Sequence, residues 1–306
     1  MRLAWAGLHF GEEPPLSEQG GSGTLFFAGC TLKCPFCQND QLSRGVLGAE
    51  LSPEELSGLM LELQARGAQN INLVTATQFI PGVVESVRLA RDRGLGLPVV
   101  WNSSGYERVS ALELLEESVE IYLPDCKTLD ESLAGRLLGA RNYPGAAREA
   151  ILHMVARRPL QMEGSRMRRG VILRHLVLPG HTRSSRQVLE WFADRLAGRA
   201  LLSLMFQFTP NPRAQAQAGQ GAAEREGRRV PERFVSRREY ERVVGWLLEL
   251  GIEEGYCQEP AGTAGEDGGA SWLPDFRRPN PFPPGQAVPM WHCLTPAATA
   301  RTRPRP

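Results

Sequence analysis

Short apolar runs alternate with stretches of helical period along the first two thirds of the chain. Thr24 to Ala28 is short, apolar and partly β-branched or aromatic, which predicts a strand. Ser52-Pro53-Glu54-Glu55 then supplies an N-cap, a proline at the first helical position and a capping-box glutamate. Leu56, Leu59, Met60 and Leu63 fall on one face of the helix that follows, and Gly67 can stop it. Ile71 to Thr75 is the next strand, and Pro81 to Arg93 a helix that turns Val83, Val84, Val87 and Ala90 inward. The same alternation predicts strands at Pro98 to Asn102, Val119 to Leu123, Val171 to Leu178 and Leu201 to Phe208. Helices are expected over Val109 to Glu117, Leu129 to Leu138, Pro144 to Arg157, Ser185 to Ala197 and Arg238 to Leu250, with a short extended piece at Ile252 to Tyr256.

Repeated strand–helix units imply an α/β fold with a parallel sheet and right-handed crossovers. The strand runs are almost continuously apolar, as burial on both faces requires. Six units are too few for a complete eight-unit barrel, so a partial, open (β/α)6 barrel of the TIM type is expected. This divides the chain into an irregular N-terminal lead (1–23), a core barrel (24–208), a flexible insertion (209–230) and a C-terminal helix with a Pro/Gly-rich tail (231–306). The lead ends in Gly20-Gly21-Ser22-Gly23, and the insertion is rich in Ala, Gln, Gly and Arg. In the tail, Trp272, Phe276, Phe282 and Trp291 are expected to pin an otherwise irregular segment to the barrel, and 301–306 to be disordered.

Composition narrows the classes of function. The 306 residues are 42% hydrophobic, enough for one large core or two modest ones. A net charge of +1 gives no strong field toward nucleic acid or a bilayer. No apolar run approaches the roughly 20 residues of a membrane span. Met1 to Phe10 is too short, and followed too soon by Glu12 and Glu13, for a signal peptide. Six cysteines without such a signal suit a reducing cytoplasm.

Three of those cysteines, Cys30, Cys34 and Cys37, stand at C-x3-C-x2-C spacing directly after the first core strand. Thiolates are soft ligands for iron–sulfur clusters and zinc. Structural zinc takes four ligands, and Cys126, Cys257 and Cys293 are scattered, so a zinc site would need a distant fourth partner. Inert thiols are the third reading. A redox cluster held by three thiolates would keep one iron open for chemistry, unlike the closed ferredoxin arrangement.

Ligands of parallel α/β folds bind at the carboxyl ends of the strands. Polar groups gather there: Thr75-Ala76-Thr77-Gln78, Asn102-Ser103-Ser104-Gly105-Tyr106, Pro124-Asp125-Cys126-Lys127, Arg174 with His175, and Gln207-Phe208-Thr209. Thr75 or Asn102 could instead cap the following helix, and Arg174 could pair with a surface carboxylate. Arg174 and His175 alternate on a strand, so only one points inward, and Arg174 is the choice. Cys126 reads as a packing residue.

The cysteine loop, with Phe36 before its last cysteine, resembles that of the radical SAM enzymes. Asp125-Cys126-Lys127 and Arg174-His175-Leu176-Val177-Leu178-Pro179-Gly180 resemble strand 4 and strand 5 motifs of glycyl-radical-enzyme activases of the pyruvate formate-lyase activating type. Gly11-Glu12-Glu13-Pro14-Pro15, Cys37-Gln38-Asn39, Asn102-Ser103-Ser104-Gly105-Tyr106 and Trp272-Leu273-Pro274-Asp275-Phe276 are similar to the pyruvate formate-lyase activating enzyme-like, or PflX-like, subgroup. The resemblance implies one [4Fe–4S] cluster on Cys30, Cys34 and Cys37, whose open iron binds the amino and carboxylate groups of S-adenosylmethionine (SAM). It implies cofactor contacts from Phe36, Thr75, Asn102, Asp125, Lys127 and Arg174. The implied activity is reductive cleavage of SAM to a 5′-deoxyadenosyl radical that abstracts hydrogen from a substrate. That substrate would be a glycyl radical enzyme, another peptide or a small molecule, and flavodoxin or ferredoxin would supply the electron. A non-enzymatic zinc or iron–sulfur module is the competing reading. This chain departs from the subgroup in carrying Thr75-Ala76-Thr77-Gln78 for T-P-T-H, and Cys126 for a phenylalanine. The G-G-E motif of many radical SAM enzymes is absent after strand 2, which leaves Thr75 and its neighbours to receive the cofactor ammonium.

Overall fold

A computed structural model describes residues 1–17, 20–45, 47–216, 228–230, 232–259 and 273–294. From the amino terminus, β1 (Arg2–His9) runs into a single helical turn, α1 (Pro14–Ser17), and β2 (Ser22–Phe27) leads to the cysteine loop, which α2 (Asp40–Ser43) closes. There follow β3 (Ala49–Glu50), α3 (Pro53–Ala65), β4 (Ile71–Val74), α4 (Ile80–Asp92), β5 (Val99–Ser103), α5 (Val109–Glu113) and β6 (Ile121–Pro124). Next come α6 (Glu131–Leu138), α7 (Tyr143–Arg157), β7 (Gln161–Glu163), β8 (Arg166–Leu176), α8 (Thr182–Arg195) and β9 (Leu201–Met205). The chain continues through α9 (Pro212–Ala216), α10 (Arg237–Glu249), β10 (Gly255–Cys257) and β11 (Ala287–His292).

Strands β2, β4, β5, β6, β8, β9 and β10 pair side by side in parallel, and the intervening helices cover the outer face. Beyond β2 the sheet continues antiparallel through β1 to β11. The strands at its two ends, β10 and β11, do not pair with each other, so the barrel is open. The helix signals act as read: Ser52 and Glu55 close a capping box on α3, at 3.2 and 2.8 Å. Ser236 and Glu239 do the same on α10, and Glu239 also accepts from the Gly180 backbone, which ties the turn after β8 to that helix.

The N-terminal lead is the main correction. Residues 1–23 are not irregular: β1 pairs with both β2 and β11, and its residues Leu3 to Gly7 are buried. Burial on both faces removes the in–out alternation that marks a half-exposed strand. Gly20 and Gly21, at φ +94° and +78°, form the turn into β2, a backbone shape that glycine adopts without steric cost. Between these strands, Leu16 of α1 enters the barrel and packs with Val100, Ile121, Leu123, Ile172 and Leu201. Asn70 Nδ2 holds that turn by donating to the Leu16 carbonyl at 2.7 Å. Residues 12–17 therefore floor the lumen.

The described part of the tail is also more regular than expected. Residues 287–292 add β11 to β1, while Phe276 and Phe282 pack with Trp5 and Phe26, with Phe26 and Phe276 ring centroids 5.2 Å apart. Full burial of a ring such as Phe276 contributes about 2–3 kcal/mol. Trp272 and 301–306 lie outside the described residues. So do residues 217–227 of the expected insertion, but 209–216 are no loose segment: Thr209, Asn211, Ala214 and Gln215 are buried. The helix expected to Glu117 ends at Glu113 and continues as turns. Among the described residues, no helix is long and apolar enough to cross a membrane.

Candidate active site

A cavity of about 430 Å³ opens at the carboxyl ends of the parallel strands. Cys30, Cys34, Cys37, Phe36, Thr75, Asn102, Asp125, Lys127 and Arg174 all line it. Part of the remaining wall comes from segments outside the strand ends and the cysteine loop: His9 to Glu12 from the lead, and Pro274, Phe282 and Gln286 from the tail.

Gly29, at φ +95°, turns the chain from β2 into the cysteine loop. Within the loop, Cys37 N–H donates to the Cys34 carbonyl at 3.2 Å, and Leu32 N–H points at Cys30 Sγ at 3.4 Å. Gln78, which stands where the subgroup has histidine, sets its Nε2 3.1 Å from the carbonyls of Ala28, Gly29 and Thr75. Asn211 holds the far end, donating to the Cys37 carbonyl at 2.7 Å and to buried Asp40 Oδ1 at 2.9 Å. Arg213 adds a 3.3 Å contact to the same carboxylate. Burial pushes the Cys34 thiol up to about 12 and Cys37 to about 11, and raises Cys30. Ligation by a metal would displace these protons. Among the described residues, no three His, Cys, Asp or Glu side chains converge on a single metal ion. A cluster of several irons would be held by the three thiolates through different irons, so they need not meet at one point. Of the other cysteines, Cys126 is fully buried, Cys257 is exposed on β10 and Cys293 follows β11.

The charged residues form one network. Lys127 Nζ donates to Asp125 Oδ2 at 2.7 Å. Burial alone would lower the Lys127 pKa, but Asp125 and the Cys34 and Cys30 sulfurs outweigh it and raise it. Arg174 lies 3.3 Å from Glu13 Oε1, 3.7 Å from Glu12 Oε2 and 3.8 Å from Asp125 Oδ1. Burial holds the Glu13 carboxyl above its ordinary range. For Glu12 the burial effect is overcome by contacts with His9 and Arg174, and its pKa falls. The adjacent acids before Pro14-Pro15 were visible in the sequence, but a lead read as irregular gave no reason to aim them into the lumen.

Thr75 has φ +52°, a left-handed conformation that costs a β-branched residue about 1–3 kcal/mol. Its N–H donates to the Asn102 carbonyl at 2.8 Å, so two strand ends hold it in place. Two residues on, Thr77 donates to Glu107 Oε1 at 2.8 Å, and burial raises the Glu107 pKa.

His175 points the other way from Arg174, as strand alternation requires. Its Nδ1 lies 2.7 Å from the Cys126 carbonyl and must donate to it, which leaves Nε2 to accept from Ser185 Oγ at 2.9 Å. Burial lowers its pKa to about 4. The unfolded chain therefore binds this proton near pH 6.5 and the folded chain only near 4. Stability from this group is complete above pH 6.5 and falls as pH drops toward 4, by about 2–3 kcal/mol. Urea unfolding at pH 7 and pH 5 should show the loss, and His175→Gln should flatten that slope. An unchanged slope would count against a buried neutral imidazole.

Three comparisons bear on this site. An uncharacterized protein of Methanocaldococcus jannaschii is 28% identical over 215 residues, covering 68% of this chain and 59% of that protein. The chain thus spans little more than half the length of this curated relative. SuiB of Streptococcus suis, solved bound to precursor peptide SuiA, superposes with a TM-score of 0.53 at 12% identity over 76% of this chain and 47% of SuiB. The radical S-adenosylmethionine methyltransferase TsrM of Kitasatospora setae, solved with tryptophan substrate and a SAM analog, gives 0.51 at 14% identity over 76% of this chain and 52% of TsrM. At such identities the two structures show a shared fold. The sequence model of the radical SAM superfamily matches residues 24–192, from within β2 to α8 and over more than half of the chain, and this protein belongs to that superfamily.

Proposed function

We propose that this protein is a radical SAM enzyme whose active site is the strand-end cavity. The observation that carries the reading is that the three loop cysteines share one cavity with Phe36, Thr75, Asn102, Asp125, Lys127 and Arg174. Cys30, Cys34 and Cys37 would hold a [4Fe–4S] cluster. Bound there and reduced, the cluster would supply the one electron that cleaves SAM to methionine and a carbon radical able to take a hydrogen atom from the substrate. The chain's own part is binding, orientation and exclusion of water. Lys127 would neutralise the cofactor carboxylate, Asp125 its ammonium, Asn102 would meet the ribose, and Phe36 would pack the adenine. Thr75, whose N–H donates to the Asn102 carbonyl, would offer its hydroxyl to the same ammonium.

The strand 4 and strand 5 motifs favour a glycyl-radical-enzyme activase, with a flavodoxin or ferredoxin as electron donor in a reducing cytoplasm. A second reading, hydrogen abstraction from a small molecule, is favoured by the tail wall of Pro274, Phe282 and Gln286, which narrows the cavity. Anaerobic reconstitution followed by electron paramagnetic resonance tests the class. A reduced-cluster signal that changes on adding SAM, with 5′-deoxyadenosine formed after dithionite, supports it; zinc in place of iron and sulfide would sink it. Lys127→Met is expected to weaken SAM binding about 10-fold to 100-fold, the effect of removing one charge-assisted contact. Unchanged affinity in an equilibrium titration would remove Lys127 from the cofactor site.

A further inference from the structure

We propose that the cavity wall built by His9, Glu12, Phe26 and Phe282 receives a cationic group of the substrate, a primary ammonium on an aliphatic stem. The inference rests on the reading of this cavity as the active site. Glu12 lines the cavity, yet its side chain is only 6% exposed. A carboxylate withdrawn that far from water needs strong partners. Those beside it are loose: His9 Nδ1 at 3.5 Å and Arg174 Nη1 at 3.7 Å. Charge-assisted hydrogen bonds are closer, about 2.7–2.9 Å.

Arg174 cannot be given wholly to Glu12, because Glu13 and Asp125 share it. Lys127 is closed on Asp125. Three carboxylates are thus served by two cations. Asn72, fully buried on β4, is within hydrogen-bonding reach of the Glu12 carboxylate and has no other partner among the described residues.

The rings supply the rest. His9 and Phe282 have centroids 4.6 Å apart, Phe26 and Phe282 5.5 Å, and His9 and Phe26 6.4 Å. Aromatic faces attract a desolvated cation and pack its methylenes. A neutral hydroxyl at the same place would leave the Glu12 charge unmatched, so the wall should discriminate between an amine and an alcohol of equal size.

The cofactor has an ammonium of its own, so the test separates the two. n-Hexylammonium and 1-hexanol are titrated calorimetrically into the reconstituted protein without reductant, with and without saturating SAM. Hexylammonium is expected to bind at least about tenfold more tightly than hexanol in both conditions. Glu12→Gln should abolish that preference, with its melting curve read by circular dichroism to check the fold. Equal binding of the two probes, binding of neither, displacement of hexylammonium by SAM, or a preference that survives Glu12→Gln would overturn the proposal. The wild-type comparison needs no variant, so a poorly folding Glu12→Gln does not block it. Failure of SAM itself to bind would count against the cofactor reading and leaves the amine–alcohol comparison to be read alone.

Discussion

Replacing Cys34 with alanine is expected to give a folded protein that retains no iron–sulfur cluster and makes no 5′-deoxyadenosine. Each loop cysteine lines the same cavity wall, and three thiolates are the least number that leaves a cubane one open iron. The chain has no replacement at hand. Cys126 is fully buried and does not line the cavity, Cys257 lies on β10 at the edge of the sheet, and Cys293 follows β11 on the far side of β1. The structural cost of Cys34→Ala is small, because it removes one buried sulfur from a large core, about 1 kcal/mol. Loss of activity would therefore come from lost ligation and not from unfolding. Cys126→Ala is the control. It removes a sulfur of the same burial from behind the site and should reconstitute with the same iron and sulfide per chain as the parent. If Cys34→Ala still took up a full complement of iron and sulfide, the cluster would have to sit on other residues. If Cys126→Ala lost its iron as well, that cysteine would have a part in ligation which the cavity does not indicate.

The contrast between Cys34 and Cys126 also shows where sequence reasoning reaches. C-x3-C-x2-C spacing is a local property, so the loop could be found from a string of residues. The same holds for β2, β4, β5, β6, β8 and β9, whose apolar runs follow from burial on both faces, and for α3, whose capping box is written in four consecutive residues. Strand ends then follow from strand positions, and Thr75, Asn102, Asp125, Lys127 and Arg174, which stand at them, line one cavity in the structure.

Glu12, Glu13 and Phe282 belong to a different class. Their position depends on the pairing of the lead strand β1 with the tail strand β11, more than 250 residues apart in the chain. β1 lacks alternation because both its faces are covered, and β11 contains Pro289, which argues against a strand except at an edge. β11 is such an edge. Without those two strands there is no floor and no side wall, and two glutamates before a pair of prolines belong to a lead that reads as irregular. In the structure the same two carboxylates flank Arg174, at 3.3 Å from Glu13 and 3.7 Å from Glu12, where strand alternation required only that one of Arg174 and His175 point inward.

Asn211→Ala should shorten the life of the cluster without touching any ligand. Asn211 lies in the stretch expected to be flexible, yet it is 1% exposed and all of its amide is used. Nδ2 donates to the Cys37 carbonyl and to Asp40, and Oδ1 accepts from Ala214 N–H at 3.2 Å. Alanine leaves the Cys37 carbonyl without this donor and buried Asp40 with Arg213 at 3.3 Å as its remaining charged contact. Leaving buried acceptors unsatisfied costs about 2–4 kcal/mol in all. That cost falls on the segment from Cys37 to Asp40, so the loop should open more often, and iron release to a chelator should speed up by about tenfold or more. Asn211→Asp should be worse than alanine at neutral pH, because it removes the donor and sets a second carboxylate beside Asp40. The expected order of iron retention is parent, then Asn211→Ala, then Asn211→Asp, under anaerobic conditions with a ferrous chelator in excess. Global stability measured on the same proteins separates the two accounts. A variant that melts earlier but holds iron as long as the parent would make this contact a general support of the barrel. Faster iron loss at an almost unchanged melting temperature would make residues 209–216 the clasp of the cysteine loop, and would explain why a polar segment after the last core strand is buried there at all.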